Sequence, residues 1–192
     1  MPLRVDQYHD MIASGILQEG APYELLDGLI VRKDRSGVGE NPMSVGLGHA
    51  WAVKNLGNFD AKLRRLRCHM QTQQPVTLAP YHEPEPDGAI VVGSIDDYRK
   101  KHITAKDVLC IIEVADSSLQ FDRKVKLPIY ADSGIPQYVI INLPERLVEL
   151  YEQPLPGMGR YARSTTLRPG QSIALRAAAG RELKVPIRRL LP

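Results

Sequence analysis

Asp87 and Glu113 are the residues whose setting points most directly to chemistry. Asp87 follows Pro86 at the mouth of a short apolar run, Gly88-Ala89-Ile90-Val91-Val92. Glu113 sits near the C-terminal end of the most apolar run in the chain, Val108 to Val114. If the two runs are neighbouring strands, both carboxylates point into one pocket. Two hard oxygen ligands with room for water suit Mg²⁺ or Mn²⁺. A carboxylate flanked by Ile111, Ile112 and Val114 is costly unless it is paired or metal-bound. Lys124 and Lys126 open the helical stretch that follows, and either could reach back to the same pocket. A lysine there could position a water and neutralise developing phosphate charge. The plainer alternative makes Asp87 a turn residue and Glu113 either solvent-facing or salt-bridged to Lys124.

Most other chemistries find no pattern. There is no GxxxxGK[ST], no GxGxxG after a strand, no HExxH and no GxSxG. Cys68 and His69 are adjacent, while His49, His82 and Cys110 lie far apart in the chain, with no CxxC or HxxxH spacing for zinc.

The elements that must position the carboxylates follow from periodicity. Leu3, Val5, Tyr8, Met11, Ile12 and Leu17 predict a short N-terminal helix over 3–18. Asp27-Gly28 between apolar runs predicts a hairpin over 23–31. The Gly-, Asn- and Ser-rich stretch 34–46 reads as a mobile loop. Residues 49–66 read as one helix with a basic end at Lys62, Arg64, Arg65 and Arg67. Alternation predicts a strand over 68–78, with Pro75 putting a bend or an edge in it. Strands are expected at 87–92, 108–114, 137–143 and 147–151, with further short strands at 160–167, 171–176 and in the tail. A helix is expected over 122–133. Proline inside a helix costs about 3 kcal/mol, so Pro128 favours a start near Val125 that leaves it in the first turn.

Composition bounds the class. The chain has 192 residues, 25 Lys plus Arg and 22 Asp plus Glu, a net charge of +3, 43% hydrophobic and 24% charged residues. These values fit one ordinary globular domain over 1–192 and argue against disorder or a fibrous chain. A charge of +3 does not announce a nucleic-acid binder, so any basic patch must be local. No apolar run approaches the ~18 residues of a membrane span, and no secretory signal is visible at the start. Two cysteines make no disulfide framework, which fits a reducing cytoplasm. The element order is that of an α/β or α+β chain.

Several segments, in order, resemble the Uma-type restriction endonuclease family of the PD-(D/E)XK nuclease superfamily. They are YELLDGLIV (23–31), Gly48-His49 opening a helix, EPD (85–87), IIEVADSS (111–118), FDRKVKLPIYADSGIPQYVIIN (121–142) and LVELYEQP (147–154). They span about 20–155. The resemblance implies a restriction-endonuclease-like core, a mixed central sheet flanked by helices. An N-terminal hairpin and accessory strands over 156–192 would complete it. It implies that Asp87 and Glu113 are catalytic carboxylates and ligands of Mg²⁺ or Mn²⁺. The superfamily lysine two residues after the second acid is absent, because Ala115 stands there. The family's DRxxK pattern falls on Asp122 and Lys126, which favours Lys126 over Lys124 as the site lysine. Glu24 matches the family's early acid, and His49 the histidine at the first helix's start. Gln137 and Val139 depart from the family's usual Glu and Trp.

The implied activity is metal-dependent hydrolysis of DNA phosphodiesters by a cytoplasmic homodimer that needs no membrane. Lys126 and Glu24 would complete the catalytic set, while His49, Asp122 and Lys124 would support the pocket or contact nucleic acid. The basic end of the first long helix, with Arg99-Lys100-Lys101, could contact DNA phosphates or simply form a solvated face. Two other readings stay open. One is a catalytically quiet nucleic-acid-binding or oligomerising module on the same fold. The other is a hydrolase of small phosphoesters or nucleotides.

Overall fold

The computed structural model describes residues 1–33 and 46–192. The expected loop at 34–46 therefore lies, except for Gly46, outside the described residues. The chain opens with α1 (Val5–Ala13), followed by the hairpin β1 (Tyr23–Leu26) and β2 (Leu29–Arg32). Then come α2 (Leu47–Gly57), α3 (Asp60–Arg65), β3 (Cys68–Gln71), β4 (Gly88–Val92) and β5 (Val108–Ala115). A helical rod follows, made of α4 (Leu119–Phe121), a π turn (Asp122–Lys126) and α5 (Leu127–Asp132). The strands β6 (Gln137–Asn142), β7 (Leu147–Leu155), β8 (Arg160–Leu167), β9 (Ser172–Arg176) and β10 (Glu182–Pro186) complete it.

Six strands form one mixed sheet in the order β3-β4-β5-β6-β7-β8. All neighbours are antiparallel except β5 and β6, whose parallel pairing is bridged by the helical rod. β8, expected among accessory strands, extends this main sheet. Among the described residues, β9 and β10 form a separate hairpin, as β1 and β2 do.

The two faces of the sheet are covered differently, and β5 shows how. Its residues alternate between two cores. Cys110, Ile112 and Val114 join Leu56 and Leu63 of the helices and Leu175 and Val185 of the C-terminal hairpin. Ile111 and Ala115 join Ile129, Tyr130 and Tyr138 beneath the helical rod. Glu113 falls in the second register, which aims its carboxyl at the rod.

Three elements depart from expectation for identifiable reasons. The helix expected over 49–66 breaks after Gly57. Asn58 and Phe59 donate to the carbonyls of Asn55 and Leu56, three residues back, which tightens the turn and restarts the helix at Asp60. The strand expected over 68–78 ends at Gln71, before a positive φ at Gln73 and before Pro75. The helix around Pro128 begins at Leu119 rather than near Val125. The Leu127 N–H reaches five residues back to the Asp122 carbonyl, opening a wide turn immediately before the proline. Pro128 then lies second in α5, where its missing N–H and its ring are accommodated.

The N-terminal hairpin forms as its sequence requires. Asp27 and Gly28 both have positive φ, 52° and 70°, the geometry that matches strand twist in a two-residue turn. The turn is packed from both sides, since the Leu3 N–H donates to the Gly28 carbonyl and the Gly28 N–H to Tyr81. A Cβ on Gly28 would lie 2.5 Å from Pro2 Cβ and 2.7 Å from Leu3 N. Gly28→Ala should therefore lower unfolding free energy by about 2 kcal/mol or more in urea titrations. An unchanged midpoint would show that the N-terminal segment yields freely.

Candidate active site

Asp87, Glu113, Lys126 and Glu24, far apart in sequence, meet where β4 begins and β5 ends. β4 pairs with β5 from Gly88 opposite Ile112. Beyond that pair the Val114 N–H donates to Asp87 Oδ2 at 2.9 Å, so the carboxylate takes a ladder position the strand no longer fills. The Asp87 N–H faces Glu113 Oε2 at 3.4 Å. Gly88 lets this corner close, because a Cβ there would lie 2.8 Å from Leu56 of α2.

Glu113 is held from the rod. Lys126 Nζ donates to Glu113 Oε1 at 3.0 Å, and the Tyr130 hydroxyl donates to the same oxygen at 2.8 Å. Lys126 and Tyr130 are four residues apart on one helical face. Lys126 also donates to Glu24 Oε1 at 3.0 Å, and the Glu85 N–H to that oxygen at 2.7 Å. Lys126, Glu24 and Glu113 have side chains only 4%, 2% and 3% exposed, so this is a fully desolvated charge cluster. Lys124, the other sequence candidate, is exposed.

His49, in the first turn of α2, brings Nε2 to 3.2 Å from Asp87 Oδ2. Asp122 does not reach the carboxylates. It is buried inside the π turn and accepts the Ser118 hydroxyl at 2.7 Å.

The electrostatics separate the acids. Burial pushes the Glu113 carboxyl up to about 7 although Lys126 pulls it down. Burial likewise raises Asp122 to about 6 against the pull of Lys126. Burial would raise Asp87 too, but the hydrogen bond and charge of His49, with Lys33 and the Val114 N–H, hold it below the usual range. For His49, burial is outweighed by Asp87, so the imidazole titrates above its ordinary value. The Lys126 ammonium is pushed up, since Glu113 and Glu24 outweigh its own desolvation.

Two residues of the pocket escaped the sequence reading. Tyr130 carries no local mark of a site: its ring packs in the core, tilted against Tyr138, while its hydroxyl donates to Glu113. Lys33, just past β2, donates to the Glu85 carbonyl and lies 3.6 Å from Glu85 Oε2. No local signal marks Lys33, because its place depends on the hairpin packing against residues 83–85.

The basic run of the first half lies elsewhere. α3 leads through Arg67 into Cys68, which pairs with Val92 at the end of β4 opposite Asp87. Five residues of strand, about 16 Å, separate the two ends. Arg99-Lys100-Lys101 follows the 3₁₀ turn Ile95–Tyr98 at that same far end. Arg64 pairs there with Asp60, and Arg99 with Asp96.

The donor set can be tested against a divalent ion. Asp87 Oδ1 is buried and has no partner among the described residues. Among the described residues, Glu113 Oε2 has only the long contact to the Asp87 N–H. These two oxygens fit a hard cation that completes its shell with water or phosphate. Among the described residues, no three His, Cys, Asp or Glu side chains form a complete metal cage.

Comparison with known proteins places this geometry in a family. The model of the Uma2 family, described as "Putative restriction endonuclease", matches residues 5–187. The chain belongs to the Uma2 family. Among solved structures it resembles one described as "a putative nuclease belonging to DUF820" from Anabaena variabilis ATCC 29413. That match has a TM-score of 0.67 at 16% identity and covers 98% of this chain and 97% of the other. No curated protein matches the chain. Among the described residues, no helix of this Uma2 protein is long and apolar enough to cross a membrane.

Two stability measurements probe the cluster. Lys126→Met leaves two carboxylates buried without their cation and should cost about 3–5 kcal/mol at pH 8 by urea denaturation. Asp122 has a folded value above its unfolded one, so its charged form is disfavoured by the fold. That cost is absent below about pH 4, grows between pH 4 and 6, and is complete above 6. Asp122→Asn should thus gain about 1–3 kcal/mol over the parent at pH 8 and nothing at pH 3.5. An equal difference at both pH values would contradict the buried charge.

Proposed function

We propose that this Uma2 protein is a metal-dependent endonuclease that hydrolyses DNA phosphodiester bonds. The observation that carries the reading is the buried Asp87 Oδ1, without a partner among the described residues, on a residue whose N–H faces Glu113 Oε2 at adjoining ends of paired strands. Asp87 and Glu113 would hold Mg²⁺ or Mn²⁺. When bound, such an ion supplies Lewis acidity toward a phosphoryl oxygen and an acidified water.

The protein's own groups divide the remaining tasks. Lys126 and Tyr130 occupy Glu113 Oε1, which leaves Oε2 as the available oxygen. Lys126 uses two of its three donors on Glu24 and Glu113. The third is available to orient the attacking water or to meet charge on the phosphate. Glu24 fixes the position of that ammonium. His49 anchors Asp87 Oδ2 and keeps that carboxyl ionised, so Oδ1 faces the pocket as an anion. Cutting both strands of a duplex requires two such sites, which a homodimer would supply. A reducing cytoplasm suits the two buried thiols.

One observation favours the quiet-module reading: among the described residues, Asp87 Oδ1 and the weakly held Glu113 Oε2 belong to no complete cage. Plasmid cleavage with Mg²⁺ or Mn²⁺ separates the readings. Asp87→Asn and Glu113→Gln should each slow cleavage by about 10²–10³-fold and abolish Mn²⁺ binding in calorimetry. Cleavage by both variants at the parent rate would sink the assignment. A parent that neither binds Mn²⁺ nor nicks DNA would leave the quiet module. Hydrolysis of small phosphodiesters with duplex DNA untouched would make the substrate a small phosphoester.

A further inference from the structure

We propose that Lys33 is the cation that contacts a phosphate oxygen of the bound strand, a role distinct from that of Lys126. The inference rests on the nuclease reading above and deepens it.

A phosphodiester entering a pocket that holds Glu24, Asp87 and Glu113 is repelled unless positive charge faces it. The cations near those acids differ in how firmly they are engaged. Lys126 is 4% exposed and donates at 3.0 Å to each of two buried carboxylates, so withdrawing it would strand both charges. His49 Nε2 is bonded to Asp87. Arg123 is committed to Glu149 through two donors, at 3.0 and 2.5 Å.

Lys33 is held more lightly. Its side chain is 16% exposed, and its carboxylate neighbour Glu85, 20% exposed, is 3.6 Å away. Among the described residues, its direct hydrogen bond goes to a backbone carbonyl, that of Glu85. Exchanging these contacts for a phosphate oxygen strands no buried charge.

Its position is fixed by the same parts that build the pocket. The Lys33 N–H donates to Pro22 at 2.7 Å, which anchors the residue beside the strand that carries Glu24. Glu85 is bonded on one side to Glu24 through its N–H and on the other to Lys33 through its carbonyl. Two residues later comes Asp87. Lys33 is near enough for its charge to act on Asp87, Glu113 and His49 together. A flexible lysine with three donors suits a single phosphate contact better than a rigid fork would. The Arg and Lys residues of α3, about 16 Å away along β4, are too distant to serve the same phosphate.

Binding of a fluorescent duplex, followed by anisotropy without divalent ions between 50 and 200 mM salt, tests this apart from cleavage. Lys33→Gln should bind about 3–10-fold more weakly, with the slope of log affinity against log salt reduced by about one phosphate contact. Lys33→Arg, which keeps the charge, should restore the slope. Thermal melts matching the parent would show that both variants fold. Parent affinity in Lys33→Gln, or a loss that keeps the parent's slope, overturns the role of Lys33 and leaves the nuclease reading intact. A parent that neither binds nor cuts duplex DNA overturns both.

Discussion

The Lys126 ammonium, clamped between Glu24 and Glu113, is the interaction on which the rest of the pocket depends. Three charges sit almost wholly buried, and each is tolerated only because the others are there. The lysine ties together pieces 102 and 13 residues distant from it. It joins the N-terminal hairpin, the centre of the sheet and the crossover rod. Its second consequence is directional. With Tyr130 it saturates one Glu113 oxygen, so the other faces Asp87.

The architecture serves that clamp at each step. The parallel β5–β6 pair demands a crossover, and the crossover lays its inward face over Glu113. The π turn admits Pro128 into this crossover without ending it, and places Lys126 at its own end with Tyr130 four residues on. On the opposite face, α2 and the C-terminal hairpin bury Ile112 and Val114, the neighbours of Glu113. The strand is thus immobilised from both sides while its one acid remains oriented. A second polar set, Arg123 with Glu149, Asn142 and Tyr151, braces the start of the rod against β6 and β7. It keeps Arg123 away from the pocket although Arg123 lies only three residues from Lys126.

Much of this was legible in the residues. Strand alternation, the Asp27-Gly28 turn and the apolar run around Glu113 are local signals, and the structure follows them. The convergence of Asp87, Glu113, Lys126 and Glu24 was expected from family resemblance, and the helical pitch explains why Lys126 turns inward while Lys124 turns out. What sequence could not show was non-local. The break at Asn58, the placement of the α3 cations at the far end of β4, and the approach of Lys33 to Glu85 all depend on tertiary packing. The hydroxyl of Tyr130 was hidden for another reason: a buried tyrosine looks the same in sequence whether its oxygen is structural or aimed at a site.

The first strand of the N-terminal hairpin also acts as a ruler. Glu24 and Leu26 face the main core while Leu25 packs on α1, so this short strand is buried on both sides. Sliding its register by one residue would present Leu25 to Lys126 and turn the acid toward the apolar helix. The strand is pinned from outside its own hairpin, because the Leu25 N–H donates to the Glu83 carbonyl and the Glu83 N–H to the Leu25 carbonyl. A residue inserted at Asp27-Gly28 would slide β2 and leave the acid on Lys126, whereas one inserted into β1 ahead of Glu24 would strip the lysine of a carboxylate.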